Sequence, residues 1–311
     1  MDHAITVRPF READAEAIVE LYARAAVVEP RLGPITLPQW QHFTRLPQNR
    51  GGRDFRVAEH GGRMVGLAES SLRAHGATRF RFLKIVVAPE ARRRGIGMAL
   101  FDDVLGIDGA DDDIAVQTLV SRDWQAGIGF VSALGFAHIE SEISMKCVEP
   151  LEPAHSLAAA RATIEQVGDA TSHAAQVARI HNLAFASDAA SRRYSPEEMM
   201  QVLNGGEVWI VSEDEQVSGF CLAEPERNST WIESVAVDPA RQGRGLGQAL
   251  VYRVLTAHDV SPERPCWLNV SSRNAVALKI YRRLGFRPQH ETCRFTATRR
   301  ELLALRDHRF R

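Results

Sequence analysis

Two short turns carry the residues best suited to holding a ligand. One is Gln242-Gly243-Arg244-Gly245-Leu246-Gly247-Gln248, the other Arg92-Arg93-Arg94-Gly95-Ile96-Gly97. Glycines at this density let a backbone approach a ligand closely and take up angles closed to other residues. Behind the first turn Leu246, Leu250 and Val254 recur every four residues, the stripe of a helix. The first turn of a helix has N–H groups without partners and lies at the positive end of its dipole. Each turn therefore suits an anion, above all a diphosphate.

A strand must deliver each turn. Over Trp231–Val237 the spacing predicts one, with Ile232, Ser234 and Ala236 on one side and Trp231, Glu233, Val235 and Val237 on the other. Asp238-Pro239 ends it, because proline removes a ladder donor. Val86-Val87, followed by Pro89, is the same design ahead of the other turn. Gly95 and Gly245 stand 150 residues apart, and Leu134-Gly135-Phe136 matches Leu284-Gly285-Phe286 at the same offset. A repeat this long is a domain duplication. The first domain spans 1–150, a linker rich in proline and alanine 151–162, and the second domain 163–311.

The halves agree before the turns as well. Each opens on a short strand (Ile5–Val7, Thr163–Glu165) and a helix (Asp14–Ala26, His173–Ala184). Each then forms a hairpin, Phe55–Ser70 turning at Gly61-Gly62 and Val208–Ala223 turning near Asp214-Glu215. Between helix and hairpin lie irregular segments, Glu29–Arg53 and Ala186–Gly206. In the second of these, Ser195-Pro196-Glu197-Glu198 marks a capped helix start. At the other end Thr292–Thr298 alternates like a strand and Glu301–Arg306 follows as a short helix.

The second half has a further signature in Trp267–Phe286. A strand over Trp267–Val270 precedes Asn274, a helix N-cap, and a helix whose Val276, Ala277, Ile280, Tyr281 and Leu284 share a face. Gly285 stands where a left-handed C-cap belongs.

The form Q/R-x-x-G-x-G/A of both turns, followed by N-x-x-A-x-x-x-Y-x-x-x-G-F over Asn274–Phe286, resembles the paired motifs of the GNAT N-acetyltransferase superfamily. With the duplication, the resemblance covers nearly the whole chain. It implies an α/β (α+β) fold of two tandem GNAT domains, each a mixed, mainly antiparallel sheet flanked by helices, with acetyl-CoA as cofactor. It also implies that Val235, Ala236 and Val237 pair with the pantetheine arm as though it were an added strand. The amides of Gln242 to Gln248 would cradle the diphosphate, with charge from Arg241 and Arg244. Asn274 would hydrogen-bond the pantetheine, and Tyr281 would sit near the sulfur.

The reaction so implied is direct attack of a primary amine on the thioester. A tyrosine hydroxyl can return a proton to a thiolate, since free values are about 10 and 8.5, so Tyr281 is the acid candidate. The Val235 amide is the candidate oxyanion donor. Glu233, two residues ahead of the cofactor strand, is the base candidate, acting through water.

At the 150-residue offset Tyr281 becomes Val131, Asn274 becomes Trp124 and Glu233 becomes Leu83. The first half thus keeps a cofactor loop (Val86, Val87, Arg92, Arg93, Arg94, Gly95, Ile96, Gly97) and loses the catalytic candidates. We expect it to be non-catalytic, to pack against the second half and to close one side of the acceptor cleft. The arrangement, tandem copies with a degenerate first one, is similar to that of the mycothiol synthases.

Composition narrows the remaining classes. The 311 residues are 45% hydrophobic and 25% charged, with a net charge of −1. That balance argues against a general nucleic-acid binder or a polybasic membrane protein. No apolar run approaches the roughly 20 residues that span a bilayer, and the start, MDHAITVRPF, lacks the pattern of a secretory signal. Cys147, Cys221, Cys266 and Cys293 are widely spaced, which fits core positions in a reducing cytoplasm. Asp111-Asp112-Asp113 reads as a solvated loop, and no metal is expected. The expected partner is a small-molecule amine such as an amino sugar, an aminoglycoside-like compound, a polyamine or an amino-acid derivative, with a homodimer left open. The alternatives are a protein or peptide N-acetyltransferase, disfavoured by Asn269 where a glutamate base would stand, a mycothiol-synthase-like enzyme, and a non-catalytic acyl-CoA sensor.

Overall fold

A computed structural model describes residues 4–29, 32–45, 49, 51–75, 78–106, 112–152, 162–186, 193–214 and 216–309. Most of the expected linker, together with Asp111 and Glu215, lies outside them. In chain order the first half contains β1 (Thr6–Pro9), α1 (Ala15–Ala26), α2 (Leu37–Arg45), α3 (Gly51–Asp54), β2 (Phe55–His60), β3 (Arg63–His75), β4 (Thr78–Val87), α4 (Ile96–Leu105), β5 (Ala115–Ser121), α5 (Gln125–Leu134) and β6 (Ala137–Cys147). The second half contains β7 (Ala162–Val167), α6 (Ala174–Ala184), α7 (Pro196–Leu203), β8 (Glu207–Glu213), β9 (Gln216–Pro225), β10 (Thr230–Val237), α8 (Leu246–Ala257), β11 (Cys266–Ser271), α9 (Ala275–Arg283), β12 (Arg287–Thr298) and α10 (Arg299–Arg309).

The chain forms two compact units, and they do not divide at the linker. Unit 1 is Met1–Ile139 with Thr292–Arg311, and unit 2 is Glu140–Glu291. Each takes its last strand from the other half. In unit 1, β5 pairs antiparallel with β12, from Thr292 opposite Ser121 to Thr298 opposite Ala115. In unit 2, β11 pairs antiparallel with β6, from Cys266 opposite Cys147 to Ser271 opposite Glu142. The exchange is fixed by burial: Cys293, Phe295, Ala297 and Leu302 enter the core of unit 1, while Met145 and Cys147 enter that of unit 2. The two final strands alternate alike, so the 150-residue repeat does not distinguish this pairing from an unexchanged one.

Within each unit the sheet is mixed and mainly antiparallel. The hairpins β2–β3 and β8–β9 are antiparallel, as are β3–β4 and β9–β10, and each unit has one parallel pair, β4–β5 or β10–β11. Gly61 and Gly62, both at positive φ, make the turn of the first hairpin, and Asp214 at φ 50 begins that of the second. In unit 2 the strand period sends alternate residues to opposite faces. Trp209, Val211 and Cys221 join a core with Leu250 and Val254 of α8, while Ile210, Phe220 and Leu222 join one with Val177 and Ile180 of α6.

Two local expectations change. The segment Glu29–Arg53 is not irregular throughout, since α2 occupies Leu37–Arg45. Its start was readable in Thr36-x-x-Gln39, where Thr36 N–H donates to Gln39 Oε1 (2.8 Å) and Gln39 N–H to Thr36 Oγ1 (3.4 Å). The face expected of α9 is also displaced. Val276 is 72% exposed, and Leu278 is the helix's buried residue, with Ala277, Ile280 and Tyr281 packed beside it. No helix among the described residues is long and apolar enough to cross a membrane.

Candidate active site

β10 begins beside β11 and then leaves it. Only Thr230, Trp231 and Ile232 pair with Cys266, Trp267 and Leu268, although both strands run on, β10 to Val237 and β11 to Ser271. The edge of β10 over Val235, Ala236 and Val237 thus lacks strand pairing to β11. Such an edge can accept an extended ligand as a further strand.

At the point of departure β10 carries a bulge. Ser234 stands opposite Leu222 and Ile232 opposite Ala223, so Glu233 is one residue more than β9 can match. The insertion shifts the alternation expected from the sequence. Ile232 faces the α8 core together with Val235 and Val237, not the α6 core with Ala236. Consecutive residues Glu233 and Ser234 both line a pocket of about 490 Å³ between β9–β10 and α6–α7.

Past Val237 a short 3-10 turn, Pro239–Arg241, is capped by Asp238, whose carboxylate accepts from Ala240 N–H (3.0 Å). Gln242 fastens the loop to the strand by donating from Nε2 to Val237 O (3.1 Å). Gly243 (φ 78) and Gly245 (φ 81) take the left-handed conformation. A Cβ at Gly243 would meet nothing within 4 Å, so the loop surface is open. The first loop-to-helix bond is Ala249 N–H to Gly245 O (2.9 Å). The amides from Gly243 to Gln248 make no hydrogen bond to the described residues. Leu246, fully buried, anchors the start of α8 beneath them. These unpaired donors at a helix N-terminus fit a diphosphate. Arg241 and Arg244 both lean on Glu213, at 3.2 and 3.6 Å, so their charge is partly answered inside the unit.

Asn274 caps α9 by accepting from Ala277 N–H (3.0 Å) at Oδ1, which leaves its amide N–H groups available. Gly285 at φ 98 ends the helix region, and a Cβ there would fall 2.3 Å from Glu149 O. Tyr281 packs edge-on against Phe286 (5.7 Å between centroids). Burial pushes its hydroxyl well above the usual tyrosine range, and the thiol of Cys221 adds to this. Tyr281 therefore stays protonated across neutral pH. Cys221 stands opposite Val235 in the sheet, so the hydroxyl belongs to the same stretch as the unpaired edge. The Glu233 carboxyl is also pushed up, by burial first and then by the carboxylates of Glu224 and Glu226. The four cysteines are buried and free.

Three features were not foreseen. His181 of α6 lines the pocket, 9% exposed, against Phe185, Tyr194 and Phe220. Its position in an apolar helix stripe gave no reason to single it out. Glu224 lines the same pocket. A second hollow, of about 470 Å³, is lined by Ala275, Leu278, Lys279, Arg282 and Arg283 on α9, and its cationic rim suits a phosphate.

Unit 1 repeats the frame without the contents. Phe80, Arg81 and Phe82 pair with Ala115, Val116 and Gln117 before β4 and β5 part, and Val86-Val87 end β4. Arg92 fastens its loop by donating from Nε to Val87 O (3.2 Å). Arg93 (φ 62) and Gly95 (φ 81) repeat the left-handed pair, Ile96 is the buried anchor, and the amides from Arg93 to Gly97 make no hydrogen bond to the described residues. Arg94 is exposed. Arg92 is bound to Glu29 and lies over the Trp124 ring (5.5 Å). A Cβ at Gly97 would meet the Phe130 ring at 3.3 Å. The sheet register also corrects one correspondence. Ser234 takes the place of Lys84 and Ile232 that of Leu83, so Glu233 has no counterpart in the unbulged β4.

Residues 174–286 match the acetyltransferase (GNAT) family model, and residues 51–138 match an acetyltransferase (GNAT) domain model. A mycothiol acetyltransferase of Mycolicibacterium vanbaalenii is 30% identical over 229 residues, which cover 65% of this chain and 70% of the relative. Among solved structures, a GCN5-related N-acetyltransferase from Sphaerobacter thermophilus superposes with a TM-score of 0.70 at 18% identity, covering 95% of this chain and 96% of that one. A tandem GNAT protein from the clavulanic acid biosynthesis pathway gives 0.66 at 19%, covering 95% and 99%. At these identities the two structures speak to the fold.

Proposed function

The chain belongs to the acetyltransferase (GNAT) family as a tandem-domain N-acetyltransferase, and from that premise we propose that unit 2 moves an acetyl group from acetyl-CoA to the primary amine of a small molecule. Acetyl-CoA supplies the activated acyl thioester. The observation that carries this reading is the parting of β10 from β11 at the Glu233 bulge, which puts an unpaired strand edge, an anion-ready loop and an acceptor-sized pocket on one short stretch of chain.

Each residue then has a task. The edge of Val235–Val237 receives the pantetheine arm, the amides of Gln242–Gln248 face the diphosphate, and the Asn274 side-chain amide donates to the arm. Glu233, with its raised pKa, takes the proton of the acceptor ammonium directly or through water, a task suited to a base poised closer to neutrality than an ordinary carboxylate. Tyr281 holds a proton at its hydroxyl for the departing thiol. The pocket between β9–β10 and α6–α7 receives the acceptor. In unit 1, Trp124 and Phe130 stand beside the loop, which supports a non-catalytic role.

Calorimetric titration with acetyl-CoA tests the reading. One site per chain, lost in Gly245→Glu, is the expected outcome, and no binding would overturn it. A second reading, a mycothiol acetyltransferase, is favoured by the relatives at about this identity. Thiol release with the matching acceptor as the sole amine decides it.

A further inference from the structure

The polar groups of the acceptor pocket are of one kind. Glu224 and Glu233 both line it, and Glu226 lies near enough to raise the Glu233 pKa along with Glu224. No lysine or arginine lines it. An ammonium entering the pocket relieves a repulsion already present there. A carboxylate or phosphate would add to that repulsion and find no countercharge. Like-charge juxtaposition of this kind lowers a rate constant by ~10²-fold or more.

The walls are apolar and aromatic, with Phe185, Tyr194, Met199, Phe220 and Leu222 among them. They favour a hydrophobic body and add the attraction of ring faces for a cation. One wall is not apolar. His181 is nine-tenths buried, and its Nδ1 has no hydrogen-bond partner among the described residues. Burial holds the imidazole below its usual pKa. The neighbouring Asn182, whose two hydrogen bonds go to the Tyr194 backbone, offsets part of this. A neutral imidazole with an idle nitrogen in a ligand pocket lacks a partner that the ligand can supply.

Resting on the acetyltransferase reading of unit 2, we propose that the acceptor is a cationic primary amine on an apolar or aromatic body, free of carboxylate and phosphate, with a hydroxyl group that hydrogen-bonds Nδ1 of His181. His181 is then a specificity residue that touches the acceptor, distinct from the acid and base.

Three probes separate the parts of this statement: tyramine, tyrosine and 2-phenylethylamine, each assayed by thiol release at saturating acetyl-CoA. Tyrosine differs from tyramine by its carboxylate alone, and its kcat/KM is expected to be ~10²-fold lower. In Glu224→Gln that discrimination shrinks by about tenfold. Tyramine is expected to exceed 2-phenylethylamine by ~10-fold, the worth of one hydrogen bond. In His181→Phe, which keeps a ring among Phe185, Tyr194 and Phe220, the ratio falls to about one, with the change in KM. Equal use of tyrosine and tyramine overturns the charge selection. A hydroxyl preference that survives in His181→Phe overturns the role of Nδ1. If acetyl-CoA binds and none of the three amines releases thiol, the acceptor class is wrong and the enzyme reading stands. If acetyl-CoA does not bind, both fall.

Discussion

Units 1 and 2 share a loop almost atom for atom and differ in what surrounds it. Arg92 and Gln242 make the same bond to the last strand carbonyl, at 3.2 and 3.1 Å, and Gly95 and Gly245 have the same φ of 81. Around that frame every reactive position has changed. Trp124 replaces the Asn274 cap and makes no cap bond, and its ring covers the helix start so closely that a Cβ on Gly127 would come within 2.4 Å of it. Buried Val131 replaces Tyr281, and Gly129, Ser132 and Ala133 replace Lys279, Arg282 and Arg283. β4 lacks the bulge that carries Glu233. An anion-ready loop is therefore a property of the fold's strand–turn–helix joint, and the joint alone does not make a catalytic domain.

The largest expected effect tests whether only one loop works. Gly245→Glu places a carboxylate among the amides at a left-handed residue, and acetyl-CoA binding and thiol release should fall by at least ~10³-fold. Residual binding at one site per chain would mean that the loop of unit 1 holds cofactor, and the contrast between the units would narrow. Next comes Tyr281→Phe, expected to lower kcat by ~10²-fold with acetyl-CoA affinity unchanged in calorimetry. Unchanged turnover would reduce Tyr281 to the same packing role as Val131.

The bulge is tested by pH. A base acts deprotonated, so kcat/KM should rise with pH through the Glu233 pKa, and the raised value sets this limb above the ordinary carboxylate range. Glu224→Gln removes one of the repelling carboxylates and should move the limb to lower pH. In Glu233→Gln the limb should disappear, with kcat lowered by ~10–10²-fold. A limb that stays in place in Glu233→Gln would assign the base elsewhere. The smallest effect concerns the helix that walls the pocket. Ser195 and Glu198 cap α7 reciprocally (3.2 and 2.9 Å), as Thr36 and Gln39 do for α2. Ser195→Ala should cost about 1 kcal/mol of stability, visible as a drop of a few degrees in Tm.

Spacing carried much of this. Glycine turns before helices, an N-cap asparagine and a strand-ending proline each have a local cause, so they could be read one residue at a time. What spacing did not carry depends on partners distant in sequence. Glu233 looks like one member of a period-2 run, and only the opposing β9 makes it the extra residue. At the constant offset it aligns with Leu83, which the register assigns to Ile232. Val276 and Leu278 are both apolar and adjacent to the same stripe, and which of them is covered is decided by the sheet beneath α9. His181 gains its meaning from α7 and β9, which close a pocket around it.

The trade of final strands also governs how the chain comes into being. Unit 1 includes Thr292–Arg311, so the outer edge of β5 stays without its partner until almost the entire chain has been synthesised. At ordinary elongation rates that interval is roughly 10–35 s. An open strand edge of this kind invites pairing with other nascent chains. A ribosome that stops in the linker, or a protease that cuts there and lets the halves part, leaves two fragments that each lack a core strand, not a spare domain and a working one.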